Sequence, residues 1–149
     1  MKQVKILVEV AGCFPEKNHN TDMGYDLKAA EDCYIEFGTT KVVNVGFKMA
    51  LPIEEGYIWE AQIRPRSGMS AKTTMRVANA PGTIDAGYRG TVGVIMQNTG
   101  TCKEDSYLIR KGDKIAQMVI TRSPMVELVQ VDELDDTERS EKGFGSSGK

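Results

Sequence analysis

Apolar positions recur along the chain with a period of two. Ile6, Val8 and Val10 alternate with Lys5 and Glu9, and Trp59, Ala61 and Ile63 alternate with Glu60 and Gln62. This period places successive side chains on opposite faces of an extended strand, so each run buries one face. Runs rich in β-branched and aromatic residues cover Val4–Val10, Cys33–Phe37, Lys41–Leu51, Tyr57–Ile63, Thr91–Asn98, Lys114–Thr121 and Val126–Val131, which predicts seven or more strands. Thr91–Met96 and Ile115–Ile120 are apolar almost throughout, so those strands are expected between layers or at a subunit contact. The one helical candidate is Met69–Met75, just after Ser67. An all-β barrel or sandwich with one short helix is the expected fold.

Composition narrows this picture. A length of 149 residues fits a single domain, and 15 glycines with 5 prolines cut the chain into segments too short for long helices. The net charge of −2 supplies no overall field for DNA or anionic lipid, so neither a nucleic acid nor a membrane is an expected partner. His19 is the single histidine, which removes a His-rich metal cage and points any catalysis toward carboxylates. Cys13, Cys33 and Cys102 are odd in number and widely spaced, so no disulfide framework is expected, and a reducing cytoplasm fits best. Glu9 interrupts the apolar start before it is long enough for a signal peptide, and no run approaches the ~18 apolar residues of a membrane span.

Four stretches carry candidate chemistry. Pro65–Ser70 (PRSGMS) lies between a strand and the helical candidate, where Arg66, Ser67 and the Gly68 amide suit a phosphate; a capped turn is the alternative. In Gly82–Gly90 (GTIDAGYRG), Ala86-Gly87 reads as a two-residue hairpin turn with glycine at positive φ. Asp85 and Tyr88 would then face each other across the hairpin, a carboxylate beside an aromatic plate, and Asp85 would be able to take a proton from water. An ordinary surface hairpin is the alternative. Gln117, the polar member of an otherwise apolar strand, needs a buried partner or a ligand oxygen. The tail Thr137–Lys149 is polar and is expected to be mobile when empty. Its GFGSSG scans as a phosphate-binding motif but lacks the helix such motifs need. The segment can still wrap an anion, with Arg139, Lys142, Ser146 and Ser147 as donors and Phe144 as a stacking face; a frayed terminus is the alternative.

Met23–Leu27 (MGYDL), PRSGMS, Asn79–Gly90 (NAPGTIDAGYRG), Gly112–Gln117 (GDKIAQ) and Arg139–Gly148 (RSEKGFGSSG) resemble, in order and spacing, the five motifs of the trimeric dUTP diphosphatases. The resemblance implies a jelly-roll-like β fold (the dUTPase-like β-clip) over residues 1–136, with a flexible tail, 137–149, closing over the site of a neighbouring subunit in a homotrimer. It implies hydrolysis of dUTP to dUMP and pyrophosphate, limiting uracil in DNA and supplying dUMP for dTMP synthesis. Asp85 would activate the attacking water. Tyr88 would support the sugar and exclude a 2′-hydroxyl, while Asn79, Thr83, Ile84 and Gly93 would read uracil. Arg66, Ser67, Gly68 and Gln117, with Arg139, Gly145, Ser146 and Ser147 of the tail, would hold the triphosphate, and Phe144 would stack on the base. Mg²⁺ would sit on the phosphates, with Asp26 facing its hydration shell. Ser140 and Lys142 stand where relatives often have glycine, and Ser147 where threonine is usual, which leaves tail closure open. Two rival readings are a dCTP deaminase of the same fold and a nucleotide-gated module that regulates another protein.

Overall fold

The protein is described by a computed structural model covering residues 2–137 and 140. Ten strands carry the fold: β1 (Lys5–Val8), β2 (Tyr25–Lys28), β3 (Cys33–Ile35), β4 (Thr40–Ala50), β5 (Tyr57–Arg64), β6 (Met75–Val77), β7 (Gly82–Asp85), β8 (Thr91–Asn98), β9 (Tyr107–Ile109) and β10 (Lys114–Pro124). The one α-helix among the described residues, α1 (Ser67–Lys72), follows β5. One four-stranded sheet has the order β1-β4-β8-β6, a second β2-β10-β5-β7, and a two-stranded sheet pairs β3 with β9. Every ladder is antiparallel.

The alternation read in the sequence is what builds the core. Val43, Val45 and Phe47 of β4 and Val92, Val94 and Met96 of β8 meet Ala61 and Ile63 of β5 and Ile115, Ala116 and Met118 of β10 in one buried cluster. Both sheets therefore close over a single apolar interior, an all-β sandwich. A bulge in the β4–β8 register between Asn44 and Lys48 is built on Gly46, whose φ of 72° favours glycine and whose α-carbon leaves only 2.9 Å between a Cβ and Cys13.

Three expectations are corrected. The helix starts and ends earlier than Met69–Met75: Thr73 turns the chain out, its Oγ1 donating to the Met69 carbonyl at 2.7 Å and accepting from the Met75 amide at 3.1 Å, so Met75 enters β6 fully buried. Asp85 and Tyr88 do close a turn, the Tyr88 amide donating to the Asp85 carbonyl at 3.0 Å, but it is not a hairpin, because β7 pairs with β5 and β8 with β4 and β6. Gly87 accordingly is not among the glycines with positive φ. Val126–Val131 forms no strand; β10 ends its ladder at the Pro124–Tyr57 pair, and Val126, Leu128, Val129 and Val131 stand exposed. A β-prone run needs a neighbouring edge, and the described chain places none beside it.

Candidate active site

Two separate cavities hold the residues singled out by the sequence. The first, about 360 Å³, is lined by Arg66, Ser67, Gly68 and Gln117 together with Asn18, Asp22, Met23, Gly24 and Asp26. Its centre is Asp26, whose side chain is 10% exposed. Oδ1 pairs with Arg66 Nε at 2.9 Å, and Oδ2 pairs with Lys114 Nζ at 2.7 Å and accepts from Asn18 Nδ2 at 3.2 Å. Burial works against the charge of this carboxylate, but Lys114, Arg66 and Asn18 outweigh it and hold the group below its ordinary range. Arg66 is also anchored by Nη1 donating to the Lys114 carbonyl at 3.2 Å. The guanidinium is thus aimed from two sides.

The turn after β5 is held open rather than capped. Arg66 sits at the N-cap position of α1 without a side-chain capping bond, so Ser67 is not spent on the helix start. A Cβ at Gly68 would meet nothing within 4 Å, so the glycine is not demanded by packing within the chain. Gln117 finds the partner its position required: Nε2 donates to the Pro65 carbonyl at 2.9 Å.

The second cavity, about 180 Å³, is lined by Thr83, Ile84, Asp85, Tyr88, Val92 and Gly93. Asp85 and Tyr88 therefore share one site although no hairpin joins them. Asp85 ends β7 opposite Glu60 of β5, and its exposed carboxylate accepts no hydrogen bond from the described residues. The turn is fixed by Arg89, whose Nη1 donates to the carbonyls of Ala86 and Tyr88 at 2.7 and 2.8 Å. Tyr88 is set by its own neighbours: its phenol donates to the Thr91 carbonyl at 3.0 Å and lies where a Gly90 Cβ would be, 2.3 Å away. Val42, on β4, fills the corresponding space at Gly93, its Cγ1 at 2.6 Å. Asn79 stands outside the cavity wall in the β6–β7 turn, with Nδ2 at 3.0 Å from a Gly82 Cβ position.

Sheet geometry separates the cavities. Asp26 lies on β2 in the row Asp26–Gln117–Arg64, and Asp85 lies on β7 in the row Thr121–Glu60–Asp85, at opposite edges of the sheet. Ideal spacings of ~4.8 Å between strands and ~3.3 Å per residue put the backbone positions of Asp26 and Asp85 about 20 Å apart across the sheet. Arg139, Phe144, Gly145, Ser146 and Ser147 lie outside the described residues. Lys114, Asn18, Gly24, Arg89 and Gly90 are the contributors that sequence reasoning missed. All except Asn18 fall inside the quoted motifs, so motif membership was their only signal, whereas nothing in the sequence marks Asn18.

Among the described residues, no group of three or more His, Cys, Asp or Glu side chains is arranged to hold a metal. The chain's comparisons agree on its kinship. The dUTPase family model matches residues 12–148. A deoxyuridine 5'-triphosphate nucleotidohydrolase of Alkaliphilus metalliredigens is 46% identical over 134 residues, covering 90% of this chain and 88% of the relative. The enzyme of that name from Gloeothece citriformis is 45% identical over 148 residues, covering 99% and 97%. Among solved structures, the Staphylococcus bacteriophage 80alpha dUTPase with dUpNHpp superposes with a TM-score of 0.87 at 33% identity over 100% of both chains. A mutant dUTPase from phage phi11 of S. aureus, described as coordinating a structural Mg(II) ion, superposes at 0.78 with 29% identity, covering 90% and 99%. The chain belongs to the dUTPase family.

Proposed function

We propose that the two cavities are halves of one catalytic site and that two copies of the chain, within a homotrimer, bring them together. The observation that carries this reading is the placement of Asp26 on β2 and Asp85 on β7, opposite edges of one sheet, about 20 Å apart on ideal sheet spacing. A base must reach the attacked phosphorus through one water, while the phosphate cradle must touch the same triphosphate. One chain cannot do both. A heterologous contact that closes into a ring supplies the missing half from a neighbour.

Two unpaired surfaces support such an assembly. The exposed run Val126–Leu134 intersperses apolar residues with Glu127, Asp132 and Glu133 and has no strand partner among the described residues. The sheet edge at β1 exposes Leu7 beside Lys5, Lys48 and Arg89, which line one groove with it. Apolar and cationic on one side, apolar and acidic on the other, they are complementary. Residues 137–149 then serve as a tail that closes over a neighbour's site and adds Arg139, Phe144, Gly145, Ser146 and Ser147.

In the assembled site, Arg66, Ser67, Gly68 and Gln117 hold the triphosphate. Thr83, Ile84 and Gly93 surround uracil, with Asn79 at its edge, and Tyr88 lies against the deoxyribose where a 2′-hydroxyl would collide. Asp85 accepts a proton from water as its oxygen attacks the α-phosphorus; the bond to the bridging oxygen breaks, releasing pyrophosphate and leaving dUMP. Positioning and charge neutralisation supply most of the rate. The residues fit Mg²⁺ through water rather than by direct ligation: Asp26, Asp22 and Asn18 offer only hard oxygens, and Asp26 already engages three donors of the ~4 its lone pairs accommodate. Bound there, the ion would neutralise phosphate charge. The three free cysteines, Cys13, Cys33 and Cys102, support a reducing cytoplasm. No helix of the described residues is long and apolar enough to cross a membrane.

Mixing two inactive variants tests the reading. Asp85→Asn and Arg66→Ala chains, unfolded together and refolded at equal ratio, should regain about a quarter of wild-type sites, because each rebuilt site takes Asp85 from one chain and Arg66 from another. No recovery places both halves in one chain and refutes the proposal.

A further inference from the structure

Gly24 immediately precedes β2 and lines the cavity of Arg66, Ser67, Gly68 and Gln117. Its φ lies outside the left-handed region, so its backbone does not need glycine. Space does. A Cβ there would sit 2.2 Å from Gln117 Oε1, so the carboxamide would have to shift, while Cδ at 3.1 Å and Cβ at 3.2 Å leave it little room to do so. That same side chain donates from Nε2 to the Pro65 carbonyl at 2.9 Å, across the residue that leads into Arg66. Pro65 has no amide hydrogen and a fixed φ, so the carbonyl clasped by Gln117 is the remaining handle on the start of the turn.

We infer that Gly24 is a positioning residue: by carrying no side chain it leaves the room in which Gln117 clasps Pro65 and holds the Arg66–Gly68 turn in the form that grips phosphate. The inference rests on the reading of that turn as the phosphate cradle. Gln117 thereby acts on the substrate partly through backbone. Gly24 acts wholly through Gln117.

The test is a double-mutant cycle on the full-length protein, read as affinity for a non-hydrolysable imido analogue of dUTP and for inorganic pyrophosphate by calorimetry, with thermal melts alongside. Gly24→Ala should weaken both ligands roughly five- to tenfold, the worth of one lost hydrogen bond, and raise KM more than it lowers kcat. Gln117→Ala should do at least as much. The double variant should bind no worse than Gln117→Ala, since nothing remains for the new methyl to strike. Normal affinity in Gly24→Ala, or losses that multiply in the double variant, would overturn the inference. Should Gly24→Ala fail to fold, the double variant decides: a melting temperature equal to that of Gln117→Ala supports the collision with Gln117, and a second failure to fold refutes it. Arg66→Ala separates the two ideas. If it leaves both affinities intact, the cradle reading itself fails; if it weakens them while Gly24→Ala does not, only the role of Gly24 is lost.

Discussion

The phosphate cradle and the Asp85 cavity solve opposite problems. In the cradle the central side chains are engaged before any ligand arrives: Asp26 carries Arg66, Lys114 and Asn18, and Gln117 is tied to Pro65. A gripping site needs this, because donors fixed in advance cost no reorganisation when phosphate enters. Around Asp85 the scaffold is equally fixed, by Arg89, Gly90 and Thr91, yet the carboxylate is left without a donor among the described residues. Hydrogen bonds to a carboxylate stabilise its ionised form and make it a poorer base. The carboxylate that orients the phosphate donors is engaged by three partners, and the carboxylate that takes a proton is spared.

The sharpest test of this contrast is Asp85→Asn. Removing the base while keeping shape should lower kcat by about 10³-fold, within the range a positioned general base contributes. Because Asp85 holds nothing together, unfolding by urea should shift by less than ~0.5 kcal/mol. Affinity for the imido analogue should stay within about threefold. A variant that loses stability along with turnover would show that Asp85 is structural and break the contrast.

Asp26→Asn should behave the other way. It removes a largely buried charge from two cations that are themselves about one-third exposed, so the loss should be about 2 kcal/mol, below that of a fully buried pair. The pH dependence has a definite sign. Asp26 is held below its ordinary range in the folded protein, so its ionised form contributes stability that is complete above the unfolded value of ~3.9 and fades as pH falls through the folded one. Urea midpoints of the wild type and Asp26→Asn should differ at pH 7 and converge as the pH is lowered below about 4. A gap that persists in acid would mean that packing, not charge, is what Asp26 supplies.

The strands were legible because their information is local. Alternation at Ile6, Val8 and Val10 or Trp59, Ala61 and Ile63 needs no knowledge of partners. Pairing is not local, and there the reading failed: Ala86-Gly87 looked like a hairpin because a turn's residues say nothing of which sheet the next strand joins. Val126–Val131 failed for the same reason in reverse, a strand pattern without an edge beside it among the described residues. At the site, Arg66, Asp85 and Tyr88 were found from their residue chemistry and placement, and Asp26 only through the family resemblance. Of their supports, Arg89 and Gly90 act through neighbours within the same motif, whereas Lys114 reaches Asp26 only through the pairing of β10 with β2, and Asn18 only through the fold. The separation of the two cavities could not be read at all, because it depends on β2 and β7 being opposite edges of one sheet.

Gly90→Ala is the smallest and most selective perturbation of the Asp85 cavity. The added methyl would lie 2.3 Å from the Tyr88 phenol oxygen and 2.5 Å from the ring carbon that bears it, so the ring must shift and give up the Thr91 carbonyl. Asp85 keeps its place on β7, and the cradle, at the far edge of the sheet, does not feel the change. If Tyr88 is the plate against which a deoxyribose fits, the ratio of kcat/KM for dUTP over UTP should narrow by about tenfold, a difference of ~1.4 kcal/mol. Pyrophosphate affinity should be unchanged. An unaltered ratio would mean that sugar discrimination resides elsewhere. A matched fall in pyrophosphate binding would mean that the two regions are coupled, through the chain or across the contact between copies, contrary to the independence expected of distant sites.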